Sequence, residues 1–214
     1  MKIIRLLIPL LFVLIGFCGF IGGAFISMGV IEYKGELPLG DIKGIVVDAD
    51  GFVYVGLGFY GKVQVYDSSG VFVRNWNANS SAGSFNIGIT ATEKIEISTA
   101  RGDKRIVYNR NGDIISKNTI DNIYSKTKNT WNKFESENGS RYEISGGMFP
   151  EIKMTYPSEN VIIKQGFFLQ IMKGPFPAWL ITAFGMGLLF LLNMVSIQRM
   201  QKQINKIFGV RNKK

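Results

Sequence analysis

The sequence has no histidine and a single cysteine, Cys18, among its 214 residues. Without histidine the chain cannot build a Ser-His-Asp or Cys-His catalytic site or a histidine-ligated zinc site. One cysteine also excludes an intrachain disulfide and a cysteine-rich metal site. We therefore expect a protein that is not an enzyme, with no catalytic residue, no cofactor and no metal.

Acidic residues are absent from both ends of the chain, where basic residues gather. All 16 acidic residues lie between Glu32 and Glu159, and the 17 basic residues between Lys34 and Lys173 nearly balance them. Two basic residues near the N-terminus and six after residue 198 therefore account for almost all of the net charge of +9. This distribution argues against nucleic acid as a partner, because nucleic-acid binding needs a basic patch on the folded domain.

Charged residues are also absent from two long apolar runs. The first covers residues 6–31 and the second residues 178–197. About 20 apolar residues are needed to cross a bilayer. A cleaved signal peptide, with an apolar core of about 7–15 residues, is the alternative for the first run, which is longer than that. We predict two transmembrane helices, the first of them uncleaved.

Small and aromatic residues in these runs suggest how the helices are placed. Gly16, Gly19 and Gly23 recur at short spacing, and small residues let membrane helices approach closely. They are candidates for packing against the second span or against another copy of the chain. Trp179 lies at the start of the second span, where an interfacial aromatic anchor is expected.

The basic residues at the two ends predict the orientation in the membrane. Lysine and arginine beside a span favour the cytoplasmic side. This places residues 1–5 and the basic tail 198–214 in the cytoplasm and residues 32–177 outside it. The composition, rich in Ile, Lys and Asn, is typical of an AT-rich bacterial genome, so the expected location is a bacterial plasma membrane.

The outer region is predicted to be a repeat of short β-strands. Phe52-Val-Tyr-Val-Gly56 recurs 42 residues later as Lys94-Ile-Glu-Ile-Ser98, and a weaker copy begins at Arg141. Turn clusters separate the strands, and the spacing divides the region into units at about 41–83, 84–130 and 131–174. Units of this length, with about four antiparallel strands, are typical of propeller blades.

The stretch from Gly44 to Trp76 resembles an NHL-type β-propeller repeat. It has the elements Asp-x-x-Gly-x-Val-Tyr-Val and Val-x-Val-Tyr-Asp-x-x-Gly. The resemblance implies a mostly β fold: an antiparallel β-meander or propeller-like repeat domain, here flanked by two transmembrane α-helices. Because a closed propeller typically has about 4–8 blades, three units leave three arrangements open. They are an open curved stack, a ring of six shared with a second copy, and a small sandwich or barrel.

Few residues of the outer region are candidates for a binding site. Phe59 and Tyr60 lie in a glycine-rich loop between two strands and are predicted to be exposed for contact with a partner. Asp48 and Asp50 predict a turn rather than a calcium loop, because calcium needs about six oxygen ligands. Other acidic pairs are interpreted as solvent-facing strand positions. They are Glu93 with Glu96 and Glu135 with Glu137.

The sequence favours a non-enzymatic membrane protein whose outer domain serves in binding or assembly. Its expected partners are the lipid bilayer, a protein, peptide or envelope polymer, and a second copy of the chain. An accessory subunit of an envelope transport or secretion complex is one alternative. An envelope hydrolase or lyase on an oligomeric propeller is another, and it would need acidic or metal-binding loops around a central channel.

Overall fold

Three four-stranded antiparallel sheets lie between two long terminal helices. The computed structural model describes residues 2–81, 83–126, 132–147, 150–167, 169 and 175–207, with backbone only at 2–5, 126, 175–177 and 206–207. The predicted fold class is confirmed: the chain is mostly β and propeller-like, with a long apolar helix near each end.

Each sheet is a meander whose strands follow chain order. Sheet 1 contains β1 (Ile42–Val47), β2 (Val53–Leu57), β3 (Lys62–Tyr66) and β4 (Phe72–Asn77). Sheet 2 contains β5 (Phe85–Ile89), β6 (Ile95–Thr99), β7 (Lys104–Tyr108) and β8 (Ile114–Thr119). Sheet 3 contains β9 (Lys133–Glu135), β10 (Arg141–Ser145), β11 (Glu151–Tyr156) and β12 (Asn160–Lys164). The helices are α1 (Lys2–Ser27), the one-turn α2 (Ile123–Lys126) and α3 (Pro175–Ile207).

Sheet 1 is the middle layer, and its strands β2 and β3 are buried on both faces. Successive residues of a strand point to opposite faces, and Val53 and Val55 join the core shared with sheet 3, whereas Tyr54 joins the core shared with sheet 2. The first strand, β1, packs beside both β5 and β9. The layers are therefore ordered sheet 2, sheet 1, sheet 3. This is an open stack. Its order differs from the order of the sheets along the chain, which would have placed sheet 2 between sheets 1 and 3.

The outer faces of sheets 2 and 3 are polar. On sheet 3, charged residues alternate with the core residues of the same strands and form the ion pairs Lys133–Glu143, Arg141–Glu135 and Lys164–Glu151. On sheet 2, the short helix α2 covers part of the face, where Asn86 Nδ2 donates to the carbonyl of Tyr124 at 3.0 Å. Neither face resembles the apolar surface that a neighbouring blade would bury.

We therefore expect the full-length chain to be a monomer in mild detergent. A ring of six would have to bury the charged face of sheet 3 or the polar face of sheet 2, which is costly without apolar contacts. Light scattering coupled to size exclusion gives the protein mass free of detergent. A stable dimer that dissociates when Lys153 on the outer face of sheet 3 is replaced by glutamate would instead support the shared ring.

The antiparallel strands give the β domain two distinct ends. The basal end, next to the terminal helices, holds the β2–β3 turn, where a Cβ on Gly61 would lie 3.5 Å from the carbonyl oxygen of Ser27 at the end of α1. The distal end holds the turns that follow β1, β3, β5, β7, β9 and β11.

Five distal turns share one hydrogen-bond pattern. In each, the N–H of the first residue donates to the carbonyl of the fifth, and the N–H of the fourth donates to the carbonyl of the first. The first residues are Asp48, Asp67, Thr90, Asn109 and Ser136. The fourth residue always has a positive φ, and these residues are Gly51, Gly70, Glu93, Gly112 and Gly139. The turns predicted at Asp48–Gly51 and Asp67–Gly70 are confirmed.

The two long helices pack as an antiparallel hairpin. Gly16 is buried against α3, where a Cβ would lie 2.5 Å from the carbonyl oxygen of Ala178, and a Cβ on Gly185 would lie 2.8 Å from the carbonyl oxygen of Pro9. Phe20 stacks edge-on against Trp179 with ring centroids 5.4 Å apart. Close approach at small residues is typical of membrane helix pairs.

The three glycines predicted for helix packing have different surroundings. Gly16 faces the second long helix, as one alternative predicted. Gly23 is also buried, but against the ring of Phe59 in the β2–β3 turn instead of against a helix, so that part of the prediction is wrong. Gly19 is partly exposed. Trp179 is 58% exposed in the first turns of α3, and its role as an interfacial anchor stays a prediction.

The ends of the long helices differ from the predicted spans. Helix α1 ends at Ser27, four residues before the end of the first apolar run, because Gly29 takes a left-handed φ of 74° and its N–H bonds to the carbonyl of Ile26. Helix α3 continues to Ile207, so the first part of the basic tail is helical. Residues 208–214 of that tail lie outside the described residues.

Candidate functional site

A cavity of about 400 Å³ opens at the distal end of the β domain, where the three sheets meet. We call it the distal cavity. Its apolar wall takes one residue from the first strand of each sheet: Val47 ends β1, Ile89 ends β5, and Phe134 lies in β9. The cavity therefore exists because the three first strands converge at this end.

Apart from Ala49, the remaining lining of the distal cavity is polar and acidic. Glu93, Glu135 and Glu137 present accessible carboxylates, whereas the side chain of Asp48 is fully buried, and no described lysine or arginine is among the lining residues. Glu135 lies 3.5 Å from Arg141, and Glu137 has no ion-pair partner among the described residues. An apolar wall beneath an acidic rim fits a ligand that combines a positive charge with an apolar body.

One arginine connects the acidic residues behind the cavity. Arg110, from the β7–β8 turn of sheet 2, pairs with Asp50 and Glu93, and its Nε lies 3.3 Å from Asp48 Oδ2. Three carboxylates thus share one guanidinium, and the site keeps an excess of negative charge. The pairs also fasten the distal turns of sheets 1 and 2 to each other.

Asp48 is the buried member of this cluster. Its side chain is fully buried, and it accepts hydrogen bonds from the N–H groups of Asp50 and Phe52 and from the hydroxyl of Tyr54 at 2.9 Å. Burial and the bond to Asp48 raise the pKa of Tyr54 above its ordinary value, so this phenol stays protonated as a donor. Because protein donors occupy its oxygens, Asp48 acts as a turn residue. In the described part of the chain, no set of three or more His, Cys, Asp or Glu residues is arranged to hold a metal ion.

Glu93 occupies a backbone position that the other turns of this type give to glycine. Its φ is 57°, and the equivalent residues are Gly51, Gly70, Gly112 and Gly139. A side chain in this left-handed conformation costs about 1 kcal/mol or more. Strain of this kind is characteristic of functional sites, and Glu93 combines it with a place on the cavity wall and a pair with Arg110.

The repeat pattern of the sequence indicates a turn position for Glu93, which the interpretation of Glu93 and Glu96 as a solvent-facing strand pair did not use. The 42-residue offset between the first two units aligns Glu93 with Gly51. Glu93 lies in a turn and not in a strand, so it does not share a face with Glu96, which pairs with Arg105. Arg110 carried no such signal, since its partners come from other turns.

Phe59 and Tyr60 lie at the basal end, far along the strands from the distal cavity. Tyr60 is only 1% exposed, and Phe59 is half-buried against Phe20 and Gly23 of α1. The prediction that Tyr60 is exposed is therefore wrong, whereas Phe59 is partly exposed and its contact with a partner stays a prediction. Their loop contacts the chain's own first helix and joins the β domain to the hairpin.

Comparisons with known proteins give a weak likeness to propeller-like structures. No family description matches the chain, and no curated protein matches it. A virginiamycin B lyase from Staphylococcus aureus aligns with 60% of this chain and 43% of its own, at 14% identity and a TM-score of 0.36. A streptogramin B lyase structure aligns with the same shares at 15% identity and a TM-score of 0.36.

A protein of unknown function from Bacteroides caccae aligns with 63% of this chain and 50% of its own, at 9% identity and a TM-score of 0.31. The chain thus spans half or less of the length of these structures. Likeness at these values carries no inference about activity, and the NHL-type family is not shown.

Proposed function

We propose that this chain is a two-span protein of a bacterial plasma membrane whose outer β domain binds a positively charged partner in the distal cavity. The proposal includes cytoplasmic termini, residues 32–177 outside, and no enzymatic activity. The observation that carries the binding role is Glu93, a strained acidic residue at a glycine position on the cavity wall.

The two long helices support membrane anchoring. Leu6–Ser27 and Ala178–Asn205 are long and apolar enough to cross a bilayer, and only 17% and 6% of their most apolar stretches are buried. A core helix of a soluble protein would be mostly buried. The helices pack on each other, and most of their remaining apolar surface has no protein cover, which suits lipid.

The arrangement of the two ends supports a binding role outside the membrane. The basal end is attached to the helix hairpin through Phe59 and Tyr60, so the distal cavity points away from the bilayer. Its acidic rim favours protonated amines, as found on basic peptides and amino-bearing envelope polymers. The NHL-type character of the repeats stays part of this proposal.

Glu93→Gly is expected to abolish partner binding without destabilising the fold. Glycine relieves the left-handed strain, and this gain offsets the loss of a half-exposed pair with Arg110 and of an exposed hydrogen bond from the N–H of Ala49. The thermal midpoint in detergent should therefore stay equal to that of the unchanged chain or rise.

Binding is followed by photocrosslinking in intact cells, with a photoreactive amino acid in place of Asn138 on the cavity rim. We expect a discrete adduct that disappears with Glu93→Gly. The same photoreactive group at Lys153, on the outer face of sheet 3, is the matched control. Adducts that are the same at both positions, or that survive Glu93→Gly, would contradict a role of the distal cavity.

A further inference from the structure

A second cavity, of about 340 Å³, lies at the basal end between the outer strands of sheets 1 and 2. We call it the basal cavity. Its lining combines the last residue of α1 and the residue after it, the end of β4 with the loop that follows, and two lysines of sheet 2. The residues are Ser27, Met28, Asn77, Asn79, Ser80, Ser81, Lys104 and Lys117.

The chemistry of this lining is suited to an anion. Lys104 and Lys117 supply positive charge, and none of the described residues that line the cavity carries a carboxylate. Lys104 Nζ lies 3.5 Å from Ser81 Oγ, which brings an ammonium and a hydroxyl together at one wall. Ammonium and hydroxyl donors around one space are the usual surroundings of a bound phosphate.

Ser80 contributes a further hydroxyl to the cavity wall. The residue as a whole is 2% exposed, but its hydroxyl oxygen is not one of the fully buried polar atoms that lack a partner, so the oxygen has access to the cavity. Its neighbours Asn79 and Ser81 both hold a left-handed φ, of 52° and 53°, so the loop keeps a strained shape around the cavity.

The height of the basal cavity matches the headgroup layer of a bilayer. Helix α1 crosses from Leu6 to Ser27, which is 22 residues or about 33 Å, against about 30 Å of hydrocarbon. Ser27 and Met28, which line the cavity, therefore lie where the lipid phosphates begin. The exposed Met28 and Val30 next to it suit the same interface.

We propose that the basal cavity binds the phosphate of an anionic phospholipid of the outer leaflet, such as phosphatidylglycerol. Lys104 and Lys117 neutralise the phosphate, Ser80 and Ser81 donate hydrogen bonds to it, and the acyl chains follow the apolar surface of α1. The site rests on the proposed membrane anchoring but is independent of the distal cavity. It would fix the β domain at a set height and tilt on the membrane surface.

The test uses the full-length chain in nanodiscs of phosphatidylcholine with a minor fraction of phosphatidylglycerol. Retained lipids are counted by native mass spectrometry after transfer to detergent. We expect the unchanged chain to retain one phosphatidylglycerol, and Lys104→Gln with Lys117→Gln to lower its affinity about 30-fold, because each basic residue near the surface contributes about a fivefold factor. Lys94→Gln with Lys153→Gln, which removes the same charge away from the cavity, is expected to retain the lipid.

Three results would overturn the proposal. Equal retention of phosphatidylglycerol by the two double variants would show that Lys104 and Lys117 do not hold the lipid. Retention of phosphatidylcholine equal to that of phosphatidylglycerol would show that the site does not select an anionic lipid. Thermal protection by free inorganic phosphate without lipid retention would assign the cavity to a soluble anion instead. Recovery of each variant in the membrane fraction is scored separately, so a chain that fails to insert contradicts the anchoring and not the phosphate site.

Discussion

Gly16→Leu is expected to break the packing of the two long helices and to lower the stability of the chain in detergent by about 3 kcal/mol. A Cβ at this position would lie 2.5 Å from the carbonyl oxygen of Ala178, well inside contact distance. The Cβ would also clash with the side chain and the backbone nitrogen of Thr182, and the backbone contacts cannot be relieved by rotating a side chain. The thermal midpoint of the detergent-solubilised chain measures the effect.

Gly22→Leu on the same helix is the matched control, because no atom of the described residues lies within 4 Å of a Cβ there. Helix α3 offers a second pair, in which Gly185→Leu meets Pro9 and Val13 whereas Gly187→Leu meets nothing within 4 Å. Equal midpoints for Gly16→Leu and Gly22→Leu would mean that α1 and α3 do not pack through this face.

Asp48→Ala is expected to destabilise the β domain by about 3 kcal/mol. The change leaves Tyr54, two backbone N–H groups and Arg110 without their common acceptor in a site where the Asp48 side chain is fully buried. It also releases the turns of sheets 1 and 2 from each other, so the wall of the distal cavity should loosen. Chemical unfolding of the full chain in detergent, followed by fluorescence, measures the loss.

Asp67→Ala isolates the part of this effect that comes from the turn. Asp67 begins a turn of the same pattern and accepts the N–H groups of Ser69 and Val71, but it is partly exposed and forms no ion pair with a described arginine. A much smaller loss is therefore expected. Similar losses for both variants would contradict the role of Asp48 as the buried acceptor of the Arg110 cluster.

The repeat offset predicted the strands and distal turns because both depend on local residue patterns. Alternating apolar residues and Asp-x-x-Gly clusters are enough to place β2 and β3 and the turns around them. The order of the layers depends instead on which faces are apolar. Every residue of β2 and β3 is buried, so sheet 1 needs cover on both sides and lies in the middle.

The candidate site was harder to predict because its contacts join distant parts of the chain. Arg110 meets Asp48 and Asp50 across about 60 residues of sequence, and no local pattern pairs them. Phe59 was predicted to be exposed because a glycine-rich loop is usually at the surface. Its cover comes from Gly23 and Phe20 of a helix far earlier in the chain.

The central claim, that the β domain projects outside the membrane with both termini in the cytoplasm, is tested most directly by cysteine labelling. Cys18 is first replaced by serine, and single cysteines are placed by Asn138→Cys at the distal rim and Lys202→Cys on the tail helix. In intact cells, we expect a membrane-impermeant maleimide to label position 138 and to reach position 202 only after permeabilisation. Labelling of position 202 but not of position 138 in intact cells would contradict the account.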